Sequence, residues 1–116
     1  MMGNVQVGNQ AGYVFQNLVF IMLKEYVAWK GWSIHFWRTT DKAEVDFVIN
    51  KKNQILPVEV KFGKMTKPIL SRSFRSFVKK YEPKEAWLIS PFYNNEIQLE
   101  NTRVRFLPFY KIYEEE

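Results

Sequence analysis

The 116 residues of this chain are enough for one domain with its own hydrophobic core, so we expect a single domain over residues 1–116, with residues 1–10 loose. Cysteine is absent, which excludes a disulfide framework, a thiolate metal site and a cysteine nucleophile, and which fits a reducing, cytoplasmic setting. No charge-free apolar run of about 18 residues is present and the N-terminus lacks the features of a signal peptide, so we expect no membrane association. The net charge of +5 and the aromatic share of 17% favour a polyanionic partner only slightly over charge that serves solubility.

The first predicted element is a helix over residues 11–29. Its apolar stripe has helical spacing and consists of Phe15, Leu18, Val19, Met22, Leu23 and Tyr26. Four further apolar side chains widen the stripe almost round the whole helix: Val14, Phe20, Ile21 and Val27. A helix that is apolar on most faces is buried on most faces, which in so short a chain indicates a second subunit or an adjoining domain. Gly31 is predicted to end the helix.

Three strands are predicted next, over residues 33–38, 44–49 and 55–62. In the second strand, alternation places Val45, Phe47 and Ile49 on one face of the sheet. A polar turn at residues 50–53 joins this strand to the third as an antiparallel neighbour. Pro57 lies within the third strand and predicts an edge position or a bulge there, because proline cannot donate a ladder hydrogen bond.

The second half of the chain predicts one more helix and two more strands. The helix is expected over residues 68–81, because Pro68 suits a first helical turn and an apolar stripe with helical spacing follows it. Strands are expected over residues 86–90 and 104–109, and residues 114–116 are expected to be a solvated tail. The order α-β-β-β-α-β-β predicts an α/β domain with a central mixed sheet and helices on its faces.

The residues that indicate chemistry lie on the second and third strands. Glu59 and Lys61 are two apart, so their side chains share one face of the sheet. Pairing about the turn brings Asp46 within reach of Glu59, directly or diagonally. Two neighbouring carboxylates repel, and Mg²⁺ relieves that repulsion while it keeps waters and phosphate oxygens as its other ligands. Such a metal activates a water at a phosphate, and Lys61 can orient or deprotonate that water.

Each of these residues also has a purely structural interpretation. Glu59 and Lys61 would then be solvent-facing strand residues, and Asp46 would cap a hairpin. For an isolated Glu-x-Lys tripeptide, the structural interpretation is favoured over the chemical one. The chemical interpretation depends on the order of the surrounding elements, which is a helix, a hairpin with a lone aspartate, a Val-Glu-Val-Lys strand and a second helix.

Three short motifs occur in that order: GYVFQNLV at residues 12–19, EVDFV at residues 44–48 and PVEVK at residues 57–61. Together they resemble the PD-(D/E)XK nuclease superfamily over residues 11–90. Two branches are similar. One is the archaeal-type Holliday junction resolvases, which are dimers acting on four-way DNA. The other is DUF4143, the nuclease-like domain at the C-terminus of a family of prokaryotic AAA+-type ATPases. The short motifs of this chain are closer in sequence to this second branch.

The resemblance implies a restriction-endonuclease-like α-β-β-β-α-β core, metal ligation by Asp46 and Glu59, and a catalytic lysine at Lys61. It also implies a glutamate on the first helix, where this chain has Gln16. An amide oxygen ligates a metal weakly and brings no charge, so the chain is either an active nuclease that uses Mg²⁺ or Mn²⁺, or one with weak or no activity. Glu44 is a substitute ligand or, with the higher prior, an exposed partner of a lysine.

Basic and polar side chains near these motifs are candidates for DNA contacts. Those on or after the strands are Arg38, Thr39, Thr40, Lys64 and Lys67. Those on the polar face of the second helix are Arg72, Arg75 and Lys79. Such residues contact phosphates in a salt-dependent, sequence-independent way, and the alternative is a solvated surface. His35, the single histidine, is expected to be structural.

We therefore expect a metal-dependent DNA endonuclease that hydrolyses phosphodiester bonds, with branched or four-way DNA as a candidate substrate. A homodimer fits both the wide apolar face of the first helix and a substrate with two equivalent strands. The rival interpretation is a catalytically weak or inactive module that binds DNA or protein, such as the C-terminal domain of an ATPase. A third interpretation is a basic nucleic-acid binder without any metal.

Overall fold

A six-stranded mixed sheet with a helix on each face forms the core of the computed structural model, which describes residues 3–38 and 44–115, and their side chains over 10–37 and 45–115. The elements are α1 (Gly3–Lys30), β1 (Ser33–Arg38), β2 (Glu44–Lys51), β3 (Gln54–Val60), α2 (Arg72–Tyr81), β4 (Glu85–Ser90), β5 (Asn95–Leu99), β6 (Thr102–Pro108) and a 3₁₀ helix (Phe109–Glu114). The strand order is β1-β2-β3-β4-β6-β5. The predicted α/β class, with a central mixed sheet flanked by helices, is confirmed.

Helix α1 is longer and less enclosed than its apolar pattern predicts. It begins at Gly3, so the prediction that residues 1–10 are loose is wrong from residue 3 onward. Over residues 10–30, where its side chains are described, one face is buried, by Phe15, Val19, Leu23, Tyr26 and Val27. The opposite side leaves several apolar side chains exposed, including Val14, Leu18 and Ile21. The helix ends before Gly31, whose φ of +73° is a conformation that glycine adopts without strain.

Strand β2 contains an irregularity that the sequence pattern does not predict. Its pairing with β1 shifts between His35 and Trp37, where two residues of β2, Asp46 and Phe47, lie opposite one residue of β1. This is a β-bulge, which re-aims the side chains of the bulged strand. The prediction that Val45 shares a face with Phe47 and Ile49 is therefore wrong, because Val45 packs in the α2-side cluster and the other two pack on the α1 side.

Strand β3 is an interior strand, so the edge position predicted from Pro57 is wrong. It pairs antiparallel with β2, where Pro57 lies opposite Val48, and parallel with β4. The pairing with β4 extends only from Val58 to Val60. Pro57 is tolerated because it precedes the segment that is paired on both sides, so its missing N–H removes no bond to β4.

Helix α2 begins at Arg72, four residues later than the start predicted from Pro68. Ser71 caps it, since the Ser71 hydroxyl accepts a hydrogen bond of 3.1 Å from the N–H of Phe74. A side-chain oxygen at this position satisfies one of the N–H groups that the first turn of a helix leaves unpaired. The buried face of α2 consists of Phe74, Phe77 and Val78.

The C-terminal part of the chain adds two elements that the sequence pattern does not predict, β5 and the 3₁₀ helix. Strand β5 is an edge strand with largely polar, exposed residues, and it pairs antiparallel with β6. The predicted solvated tail is wrong for Glu115, whose carboxylate pairs with the Arg105 guanidinium. None of the helices in the described residues combines the length and apolarity needed to cross a membrane.

Candidate functional site

The bulge in β2 places Asp46 between α1 and β3. Its Oδ1 accepts a hydrogen bond of 2.9 Å from Gln16 Nε2 on α1. Its Oδ2 accepts one of 2.7 Å from the backbone N–H of Val60. Hydrogen bonds to an ionised carboxylate are among the stronger ones in proteins, so the Asp46 carboxylate is held in one orientation by a helix and by the neighbouring strand.

Glu59 lies on the opposite side of β3 from the buried Val58 and points towards the start of α2. The hydroxyl of Ser71 donates a hydrogen bond of 2.5 Å to Glu59 Oε1. The same hydroxyl accepts the capping bond from Phe74, so Ser71 joins the carboxylate to the N-terminus of the helix. A negative charge near a helix N-terminus is stabilised by the helix dipole.

The charges of Asp46, Glu59 and Lys61 act on one another. Burial raises the pKa of Glu59 above its ordinary value, and the Ser71 hydrogen bond acts in the opposite direction. The Asp46 carboxylate raises the same pKa further, and the Lys61 ammonium lowers it. The structure therefore brings together the three residues that the sequence analysis selected, at the end of β3 and beside the bulge.

Lys61 directly follows β3, and its side chain is exposed. Its position is determined by the backbone, because its N–H donates a hydrogen bond of 2.8 Å to the carbonyl of Ile89 on β4. The backbone of Lys61 is held by this bond while its side chain is exposed. The ammonium group can therefore move to contact a ligand that binds at the two carboxylates.

The carboxylates of Asp46 and Glu59 suit a cation that takes its other ligands from water and from a substrate. The described residues contain no group of three or more histidine, cysteine, aspartate or glutamate side chains arranged to hold a metal ion. Mg²⁺ is commonly bound by one or two carboxylates together with waters and phosphate oxygens, and Asp46 and Glu59 supply two carboxylates whose mutual repulsion such a cation would relieve. Gln16 donates to Asp46 through its amide nitrogen, which leaves the amide oxygen for another contact.

The sequence of the chain, compared with protein families, matches DUF4143, a domain of unknown function, over residues 11–112. The chain belongs to the DUF4143 family. No curated protein has a significant match to it. The match confirms the DUF4143 branch of the sequence analysis, and it extends from residue 11 of α1 over α2 and all six strands of the sheet. The assignment to the PD-(D/E)XK nucleases stays a prediction, because the family description names no activity.

The basic row of α2 in this DUF4143 domain lines one groove. Arg72, Arg75 and Lys79 are exposed, and together with the carboxylates of Glu82 and Glu100 they border a groove of about 460 Å³ between α2 and the β5–β6 turn. The two carboxylates reduce its positive charge. Leu70 and Arg72, on either side of Ser71, both line the groove, and Ser71 in turn bonds Glu59.

The other candidates for DNA contacts are more scattered. Lys64 and Lys67 are exposed in the segment between β3 and α2. The side chains of Arg38 and Glu44, and the whole of Thr39 and Thr40, lie outside the described residues. His35 lies 3.0 Å from the Ser33 hydroxyl through its Nε2 atom, on exposed strand β1. That contact is local, as expected for a structural histidine.

One residue of the site was missed by sequence reasoning. Ser71 orients Glu59 and begins α2. The sequence contains a signal for this N-cap, since serine is among the most favoured residues at that position and Ser71 immediately precedes the apolar stripe of α2. The sequence analysis instead starts the helix at Pro68, three residues earlier.

Proposed function

We propose that this DUF4143 domain is a metal-dependent DNA endonuclease that hydrolyses phosphodiester bonds. The observation that carries the proposal is the placement of two oriented carboxylates at the end of β3, where Asp46 accepts from Gln16 and from the N–H of Val60 and Glu59 accepts from Ser71. Lys61 follows directly in the chain. Two carboxylates and a lysine at the end of a buried sheet make a suitable arrangement for binding a divalent cation next to a phosphate. Asp46 and Glu59 would hold Mg²⁺ or Mn²⁺, and Gln16 would add an amide oxygen.

A bound divalent cation would supply an activated water and would stabilise charge on the scissile phosphate. The residues of the chain have separate tasks around it. Gln16 and Val60 orient the Asp46 carboxylate, and Ser71 orients that of Glu59. Lys61 carries three N–H donors on a flexible stem, so it can hold the attacking water or neutralise negative charge that develops on a phosphate oxygen.

The basic residues of α2 and of the segment before it support DNA as the substrate. Arg72, Arg75 and Lys79 would contact the phosphate backbone from the groove on α2, and Lys64 and Lys67 from the segment before it. The net charge of +5 has the sign that such binding requires. We expect the affinity for DNA to fall steeply as the salt concentration rises.

We also propose that the domain forms a homodimer through the exposed side of α1. Val14, Leu18 and Ile21 recur at helical spacing on that side, and Leu18 is 41% exposed. Contiguous exposed apolar side chains on a helix indicate an interaction surface. Two sites related by a two-fold axis would suit a branched DNA with two equivalent strands.

A second candidate function is an interaction module with little or no catalytic activity, such as the C-terminal domain of an ATPase. The observation that favours it is the pair of neutral donors on Asp46, one from Gln16 and one from Val60. These bonds join α1 and β3 to β2, which is a structural role. On this view the carboxylate is retained because it holds the elements together.

Cleavage assays separate the two functions. Labelled linear, single-stranded, flapped and four-way DNA would be incubated with Mg²⁺, with Mn²⁺ and with a chelator. We expect metal-dependent cutting that Lys61→Ala lowers by roughly 10²- to 10⁴-fold, with DNA affinity nearly unchanged. Lys84→Ala, which removes an exposed lysine just before β4, is the matched control and should cut normally. A folded wild-type protein that cuts none of these substrates would support the interaction module.

A further inference from the structure

A small pocket includes Asp46, but not Glu59, in its lining. It has a volume of about 240 Å³ and is bordered by α1, by β1 and by the bulged part of β2. This is below the roughly 300–1,000 Å³ of pockets for drug-sized ligands, so it suits a single ring system. The Asp46 carboxylate forms part of its wall, so any ligand in the pocket lies beside the proposed catalytic site.

Three phenylalanine rings form one side of the pocket. Phe20 on α1 stacks on Phe36 of β1, with ring centroids 5.5 Å apart, and also on Phe47 of β2, at 5.2 Å. Phe47 is buried, whereas Phe36 is 70% exposed. Phe36 and Phe47 also contact each other, with ring centroids 5.6 Å apart, so the three rings form one cluster in which most of the Phe36 ring is available to solvent. A planar ring placed on Phe36 would extend this cluster.

Polar groups stand at the rim of the same pocket. The amides of Gln16 and Asn17 and the carboxylate of Asp46 line it, so hydrogen-bond donors and acceptors are available at the edge of a bound ring. Lys24 Nζ lies 5.6 Å from the centre of the Phe20 ring and is exposed. Its positive charge lies near the aromatic stack, where it suits a phosphate attached to the ring system.

We propose that this pocket receives an unpaired base of single-stranded DNA, which stacks on Phe36 beside the proposed metal site at Asp46. The proposal rests on the proposed function, because it assigns the substrate class of that site. Aromatic side chains bind bases of single strands by stacking, with little dependence on sequence. A base within a duplex must first be unstacked and unpaired, which opposes its entry into the pocket. The domain should therefore prefer unpaired or frayed segments, such as those at a flap or a branch point.

Binding measured in a chelator tests the pocket independently of cleavage. The probes are a labelled oligothymidine of about 16 nucleotides and an abasic oligomer of the same length, followed by fluorescence anisotropy. Stacking contributes about 1–3 kcal/mol per base, so Phe36→Ala should weaken binding of oligothymidine roughly 5- to 150-fold. Binding of the abasic oligomer should not change, because it offers phosphates and no base.

Two further variants control for lost packing and for the loss of an unrelated exposed ring. Phe36→Leu retains apolar packing against Phe20 and removes only the aromatic face, so it should lose affinity as Phe36→Ala does. Phe92→Ala removes another highly exposed ring, 78% exposed and located between β4 and β5, and should bind both probes normally. Equal losses for both probes, unchanged affinity in Phe36→Ala, or full affinity in Phe36→Leu would each overturn the proposal.

The remaining outcomes concern the class of ligand. If free thymidine monophosphate competes at the same concentration as the oligomer, the pocket takes a nucleotide and not a strand, which overturns the proposal. Failure of the wild-type protein to bind oligothymidine at all would do the same. Base-dependent binding without any cleavage would support the pocket and contradict only the proposed nuclease activity.

Discussion

Strands β4 and β6 pair in unbroken parallel register, from Glu85 opposite Arg103 to Ser90 opposite Pro108, whereas the register of β1 and β2 shifts beside Asp46. The two halves of the sheet thus differ in regularity. Five consecutive residues of β4, from Ala86 to Ser90, are buried, so this half contributes a continuously buried strand to the core. The irregular half holds the candidate site. β-Bulges are over-represented next to active sites.

The two halves also hold their carboxylates differently. In the regular half, the Arg105 guanidinium hydrogen-bonds Glu115 with both terminal nitrogens and lies 3.6 Å from Glu85. In the irregular half, Asp46 accepts from an amide and a backbone N–H, and Glu59 accepts from a hydroxyl. Neutral donors orient a carboxylate but leave its negative charge in place. The first arrangement pairs opposite charges, and the hydrogen bonds of the second orient the two carboxylates of the candidate site.

The largest expected effect is on the regular half. Trp87→Ala removes a ring that is 2% exposed, contacts Tyr26 and donates its indole N–H to Glu85. We expect the free energy of unfolding to fall by about 3–5 kcal/mol, the range for truncating a buried aromatic residue. Urea unfolding followed by circular dichroism measures it. The control is Trp29→Ala, an exposed ring on α1, which should change stability by no more than about 0.5 kcal/mol; similar losses in both variants would contradict the comparison.

Arg105→Met tests whether the ion pairs of the regular half stabilise the fold. The variant leaves two half-buried carboxylates without their guanidinium donor. We expect a loss of about 1.5–3 kcal/mol in the free energy of unfolding at neutral pH, the range for hydrogen bonds to charged groups. Arg103→Met is the matched control, since its pair with Glu96 is about half exposed and should contribute much less. Equal effects in the two variants would show that burial of the Arg105 pair is unimportant.

Gln16→Glu tests the site itself. The substitution removes the donor to Asp46 Oδ1 and places a second negative charge beside it. In chelator we expect a loss of about 1–3 kcal/mol in the free energy of unfolding. Millimolar Mg²⁺ should restore part of that loss, because a cation that binds only the folded state stabilises it. Gln98→Glu on exposed β5 should show neither effect. Loss without recovery in Mg²⁺ would mean that Gln16 serves the fold alone.

The smallest expected effect concerns Glu59 and pH. Its pKa is raised in the folded state, mainly by burial, so the folded protein binds this proton more tightly than the unfolded chain does. The stability that protonation contributes is present at low pH and is lost as pH rises through the raised pKa of Glu59. Glu59→Gln should therefore become more stable relative to wild type as pH rises through that window. Urea unfolding across pH measures it, and Glu114→Gln, at an exposed position, should show no such trend.

Several features could be predicted from the sequence because they depend on local spacing. The stripe Phe15, Val19, Leu23 predicts α1, and the spacing of Glu59 and Lys61 places them together at the end of β3. The polar turn after β2 predicts the hairpin that brings Asp46 near Glu59. These signals involve residues close in sequence, so they are sufficient for the α/β class and for the selection of Asp46, Glu59 and Lys61.

Other features were decided only by the tertiary structure. The bulge at Asp46 depends on how β1 and β2 pair, and the bond of Ser71 to Glu59 joins residues 12 apart in sequence. The aromatic pocket requires α1, β1 and β2 to meet. The apolar pattern of α1 predicts burial on most faces, yet one side of the helix is exposed. Hydrophobicity indicates that a surface favours a partner, but it does not say whether the same chain supplies that partner.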